Sequence, residues 1–150
     1  MYSHIVVGTD GSGTASRAVL HAIDLAALSG ARLHIATAGR DSFVHFAVGG
    51  VGLPGTGELS PTTLSEELSA VVNEAATLAQ ERGVDCDTHT IVGDAVDAIC
   101  NLAEKLNADL LVVGNRGMKG VQRYFWDSIP DAVSHKAPCS VLIVDTRDKK

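Results

Sequence analysis

Apolar and polar positions alternate along this chain in two periods that take turns. Ile5-Val6-Val7-Gly8 is a short β-branched run that breaks at Thr9-Asp10-Gly11-Ser12-Gly13, a turn-rich stretch. Ala15, Ala18, Val19, Ala22, Ile23 and Ala26 then recur at helical spacing until Ser29-Gly30 supplies a stop. Leu33 to Thr37 reads as a second strand. A second helix starts near Ser60-Pro61, with Thr63 and Glu66 spaced for a capping box and Leu64, Leu68, Val71, Ala75 and Leu78 as its buried face. Asp85 to Val92 is a polar, alternating strand suited to a sheet edge. Asp94 can cap a third helix carrying Val96, Ile99, Cys100 and Ala103. Leu110-Leu111-Val112-Val113 is wholly apolar, as a central strand should be. A loop, a short helix over 128–136, the strand Val141-Leu142-Ile143-Val144 and a charged tail over 145–150 complete the chain.

Five strands separated by four helices predict an α/β fold, an open doubly wound parallel sheet with helices on both faces. Ligands of such sheets bind beyond the carboxyl ends of the strands, where successive crossovers change direction. With strands one and four as central neighbours, Asp10 and Gly114 flank that crevice. One segment breaks the pattern. Between Ser42 and Gly57 there is no charged Lys, Arg, Asp or Glu, and five glycines crowd 49–57, so 38–60 reads as a long glycine-rich loop, a lid or a connector.

Composition narrows the function classes. Twelve Lys/Arg against eighteen Asp/Glu give a net charge of −6, which speaks against nucleic acid or an anionic membrane as partner. No apolar run approaches the roughly 18 residues of a membrane span. Three widely spaced cysteines, Cys86, Cys100 and Cys139, form no C-x-x-C and fit a reducing cytoplasm, and no leader-like segment opens the chain. The expectation is a cytoplasmic single domain spanning 1–150.

The strongest chemical signal is Gly114-Asn115-Arg116-Gly117-Met118-Lys119-Gly120 directly after the buried fourth strand. Glycine N–H groups can line an anion-binding concavity, and Ser128 at the next helix start adds the positive end of a dipole. The same residues also read as a tight strand-to-helix connection capped by Ser128. Gly8-Thr9-Asp10-Gly11-Ser12-Gly13 is neither the dinucleotide fingerprint nor a Walker loop. Its Asp10 suits ribose hydroxyls or an adenine amine, or caps the first helix in competition with Ser12. Gly50-Val51-Gly52-Leu53-Pro54-Gly55 matches G-x-G-x-x-G in form but follows no central strand. Six histidines (His4, His21, His34, His45, His89, His135) show no metal-ligand spacing, and most of them are read as surface or half-buried residues. No nucleophile or paired carboxylate stands out, so no catalytic or metal residue is assigned.

Taken in order, Ile5 to Ser12, Ile91-Val92-Gly93-Asp94, Ala108 to Gly117 and Ala137 to Val144 resemble the universal stress protein family over the whole chain except 38–60 and the tail. The resemblance implies strand order 3-2-1-4-5, homodimers and an adenine nucleotide in the crevice. That order puts the apolar run Val141, Leu142, Ile143 and Val144 at a sheet edge, which the same strand of a second copy would cover. By position, Thr9 and Asp10 would contact ribose or adenine, and Ala36, Thr37 and Val92 would line the base pocket. Gly114, Arg116, Gly117, Ser128 and Ile129 would hold ribose and phosphates.

Nucleotide-binding members carry G-x-x-G and, nine residues on, G-[ST]; here Gly114-x-x-Gly117 fits but Asp127-Ser128 replaces the second glycine. Two like charges 4 Å apart repel by about 4 kcal/mol at an effective dielectric of 20, so Asp127 disfavours ATP unless Mg²⁺ bridges it to the phosphates. AMP or cyclic AMP is easier to hold. The Val113-Gly114-Asn115 form also resembles actinobacterial members that bind cyclic AMP. The reading is a regulatory nucleotide binder without efficient turnover. A slow Mg-dependent ATPase and a dimeric interaction module without nucleotide are the alternatives.

Overall fold

The computed structural model describes residues 1–39, 61–115 and 129–147. The glycine-rich stretch, the segment 116–128 with Arg116, Gly117, Asp127 and Ser128, the side chains of Thr63 and Leu64, and the last three residues lie outside the described residues. The elements run β1 (His4–Gly8), α1 (Gly13–Ser29), β2 (Arg32–Gly39), α2 (Pro61–Glu81), β3 (Cys86–Val92), α3 (Ala95–Lys105), β4 (Leu110–Gly114), α4 (Ile129–Lys136) and β5 (Ser140–Val144). The five strands form one sheet in the order β3-β2-β1-β4-β5, with every pairing parallel. No described helix is long and apolar enough to cross a membrane.

Alternation along each buried strand divides the core into two layers. Ile5, Val7, Leu33, Ile35, Leu110 and Val112 face one side, packed under α1 and α2. Val6, Ala36, Leu111 and Val113 face the other, packed with Ile99, Cys100 and Ala103 of α3 and Val133 of α4. The six α1 positions picked out by helical spacing are the six that the structure buries. Ser12 takes the N-cap, its hydroxyl accepting from the Ala15 N–H at 3.1 Å, so capping falls to Ser12 and not Asp10. Asp94 caps α3 by accepting from the Asp97 N–H. The polar β3 is the edge strand, as its alternation required.

Two boundaries differ from the sequence reading. The α2 face that meets the sheet is Leu68, Val72, Ala75, Ala76 and Ala79, while Val71 and Leu78 are half-buried. Small alanines let that side of the helix lie close to the strands, which turns Val71 toward the Thr9–Ser12 turn. There Gly11 has φ +77°, and a Cβ on it would stand 2.9 Å from Val71 Cγ2, so both backbone and space demand glycine. Strand β2 also runs two residues further at its carboxyl end than expected. Ala38 and Gly39 stay in register with Ile91 and Val92, and the Gly93 N–H donates to the Gly39 carbonyl at 3.0 Å.

Candidate functional site

The chain visits β1, β2 and β3 in one direction across the sheet and then returns to place β4 on the other side of β1. The connections leaving β1 and β4 therefore diverge, and a crevice opens between their carboxyl ends. Its floor is made of strand ends: Gly8, Ala36, Ala38, Val113 and Gly114. Thr9 and Asp10 form one rim, and Ala15, Ala95, Ile99, Ile129 and Pro130 from three helices complete the walls among the described residues. The space measures about 520 Å³ including its open mouth. The wall is small and apolar, and the polar groups sit at its rim.

Backbone pairing holds that rim. The Thr9 N–H donates to the Ala36 carbonyl at 2.9 Å, extending the β1–β2 ladder one residue past the strand. Thr9 Oγ1 accepts from the Gly11 N–H, and Asp10 Oδ1 accepts from the Ser12 N–H at 2.8 Å. One carboxylate oxygen of Asp10 thus fixes its own orientation. The other makes no hydrogen bond among the described residues and remains available to a ligand. On the opposite wall, α3 begins with Asp94 at its cap and Asp97 in its first turn, charges that offset the attraction its dipole would exert on an anion. An apolar, planar group suits the β2–α3 side better than a phosphate does.

Of the residues singled out in the sequence, Thr9, Asp10, Ala36, Gly114 and Ile129 come together around this crevice. Thr37 does not line it. Odd and even positions of β2 face opposite layers, and Thr37, buried at 3% exposure, lies on the α1–α2 side. Val92, in register with Gly39, shares Thr37's side of the sheet and is 66% exposed. Sequence reasoning missed the other lining residues: Gly8, Ala38 and Val113 of the strands, and Ala15, Ala95, Ile99 and Pro130 of the helices. Period-two alternation pairs Ala38 with Ala36 and Gly8 with Val6, a signal that strand spacing already carries. Gly8 is small for a reason: a Cβ there would meet Ile99 Cδ1 at 2.2 Å.

The family model described as the universal stress protein family matches residues 1–145. The chain belongs to the universal stress protein family. Universal stress protein Rv1636 of Mycobacterium tuberculosis is 36% identical, with 97% of each chain covered. Universal stress protein MJ0531 of Methanocaldococcus jannaschii is 33% identical over all of this chain and 86% of its own. A crystal structure of a universal stress protein in complex with cAMP superposes with a TM-score of 0.73 at 34% identity, covering 97% of this chain and 99% of that one.

In this universal stress protein the residue after Gly114 stitches the crevice rim. The Asn115 N–H donates to the Val144 carbonyl at 2.9 Å. Its side-chain oxygen accepts from both the N–H and the hydroxyl of Thr146, each at 2.9 Å, and its amide donates to Asp145 at 3.0 Å. The side chain and N–H of Arg147, together with the Asn115 amide, hold the Asp145 carboxyl well below the usual carboxylate range. Asn115 therefore fastens the end of β4 to the end of β5, beside the point where Gly114 lines the crevice. Asn115→Ala would leave Thr146, 1% exposed, without its acceptor. The expected loss is about 1 to 3 kcal/mol of unfolding free energy in urea titration. An unchanged midpoint would show that the stitch contributes nothing.

Proposed function

We propose that this universal stress protein binds an adenine nucleotide in the crevice between β1 and β4 and acts as a regulatory binding module. The observation that carries the reading is the crevice itself: a small apolar wall ending in an oriented carboxylate at Asp10 and a glycine at Gly114. Ala36 and Ala38 leave room for a flat ring to approach the β2 backbone, with Ile99, which fills the space over Gly8, against its face. Asp10 can accept from ribose hydroxyls, strongly directional donors for a charged acceptor. A universal stress protein of 34% identity solved in complex with cAMP supports an adenine nucleotide as the ligand class. Phosphate would then lie toward the β4 end and the 116–128 segment, where the sequence supplies Arg116, Gly117 and Ser128. Asp127 in that segment favours a ligand with few phosphate charges, AMP or cyclic AMP over ATP, unless Mg²⁺ accompanies the triphosphate.

Assembly follows from the sheet's two edges. β3 guards its edge with exposed Thr88 and Thr90, but β5 carries Val141, Leu142, Ile143 and Val144, with Ile143 44% exposed. An apolar edge is a pairing hazard unless covered, and a second copy of the same strand about a two-fold axis covers it. We therefore include a homodimer through β5 in the proposal.

Calorimetric titration with cAMP, AMP and ATP tests the binding site. Asp10→Ala should weaken the preferred ligand by about tenfold or more, the value of a hydrogen bond to a charged group, with the melt still cooperative. Unchanged affinity in a folded variant would contradict the crevice assignment. Light scattering over a dilution series should give a dimer for the wild type and monomer or unfolded chain for Ile143→Lys. A wild type that stays monomeric at high concentration would end the dimer proposal.

A further inference from the structure

Three histidines distant in sequence form one chain of rings on the α3–α4 side of the sheet. His4 Nδ1 lies 3.1 Å from His34 Nε2, and His34 Nδ1 lies 3.3 Å from His89 Nε2. Each pair of ring centroids is 5.4 Å apart. Together they cross β1, β2 and β3, with His34, 3% exposed, in the middle. His34 stands two residues before Ala36, and His89 is Ala36's register partner, so the chain underlies the β2 wall of the crevice.

Proton counting limits this chain. Each ring-to-ring bond needs one nitrogen with a proton and one without. Three neutral rings meet that rule in two ways, with every N–H pointing toward β3 or every N–H pointing toward β1. One added proton is also tolerated, because a charged His34 can donate to both neighbours. A second added proton places two N–H groups face to face at one bond, whichever ring receives it. The folded chain can therefore hold at most one extra proton, while three separated rings hold three.

The surroundings of His34 and His89 disfavour a charge on either ring. Asp87 approaches His34 Nδ1 to 3.7 Å, but Arg32 holds that carboxylate with two hydrogen bonds of 2.5 and 2.9 Å. Lys105 of α3 lines the same groove as His89, and Asp109 accepts the His4 backbone N–H at 2.8 Å with the N-terminal ammonium nearby. Burial, then the neighbouring His89, pushes the His34 pKa down; burial also lowers that of His89 against the pull of Asp87.

We propose that the His4–His34–His89 chain is a proton-operated fastening of the edge strand β3, closed near neutrality and released by mild acid. Both His34 and His89 titrate below the unfolded value of about 6.5. Above that pH the folded and unfolded chains bind the same protons at these rings, so the fastening is fully present. Below it the unfolded chain takes up protons that the folded chain excludes, and stability is lost. Release would loosen β3 from β2 and with it the wall made by Ala36 and Ala38. That bearing on the crevice rests on the nucleotide reading above, whereas the fastening does not, and its test uses the unliganded protein.

Each excluded proton raises the unfolding constant by up to roughly tenfold per pH unit. Denaturant titrations of the full chain should therefore show a rise of about 30-fold between about pH 6.5 and 5.5 for the wild type, because each unfolded ring is already half-protonated at the upper end. His89→Gln keeps a hydrogen-bonding side chain but leaves a two-ring chain that excludes one proton, so its rise should fall to about fivefold. His4→Gln shortens the chain from the other end and serves if the first variant fails to fold. Amide-exchange protection at Thr88 to Ile91 should drop with acid before that of β1 and β4. A flat wild-type profile, equal slopes in wild type and variants, or protection lost uniformly across the sheet would each overturn the proposal.

Discussion

Everything here depends on burying a parallel sheet on both faces. Parallel strands need crossovers, right-handed crossovers carry helices, and helices on both faces leave the strand ends as the accessible part of the sheet. Because the chain winds outward from β1 in one direction and then the other, the ends of β1 and β4 are separated by diverging connections. The crevice is a geometric remainder of that winding. Residue choice then makes it useful: glycine and alanine where strand ends would otherwise fill it, and Asp10 at its lip.

Polar groups inside such a sheet must be satisfied, and this protein uses them as fasteners between strands. Asp109 accepts the N–H groups of Ser3 and His4 and ties the start of β1 to β4. Asn115 ties the end of β4 to β5, and the imidazole chain with the Arg32–Asp87 pair ties β1, β2 and β3. No buried side-chain nitrogen or oxygen among the described residues lacks a partner. The fasteners differ in what releases them. The amide of Asn115 does not titrate, but imidazoles do so near physiological pH.

Period and punctuation made most of this fold legible. The α1 face, the Asp94 cap and the polar edge strand follow from local spacing, and strand order followed from the family resemblance. The α2 face was harder because Leu68, Val71, Val72, Ala75, Ala76, Leu78 and Ala79 cover more than one stripe of the helix. Only packing against the sheet and the Gly11 turn decides its rotation. At the site, Asp10 and Gly114 stood out as chemistry in the wrong place for a core. Taking Ala36 and Thr37 together ignored strand parity, which sends Thr37 to the other layer and Ala38 to the crevice. The histidine chain was invisible for a different reason. Its members are 30 and 55 positions apart, and only the β1–β2–β3 register brings their rings together.

The central claim is that the β1–β4 crevice receives the nucleotide. Backbone amide shifts in ¹⁵N-labelled protein, followed as cAMP is added, test it most directly. The account predicts saturating shifts at Gly8, Thr9, Asp10, Ala38 and Gly114, with the groove beside Thr88 and Asn101 unmoved. Shifts confined to any other surface, or none with cAMP, AMP or ATP, would contradict it.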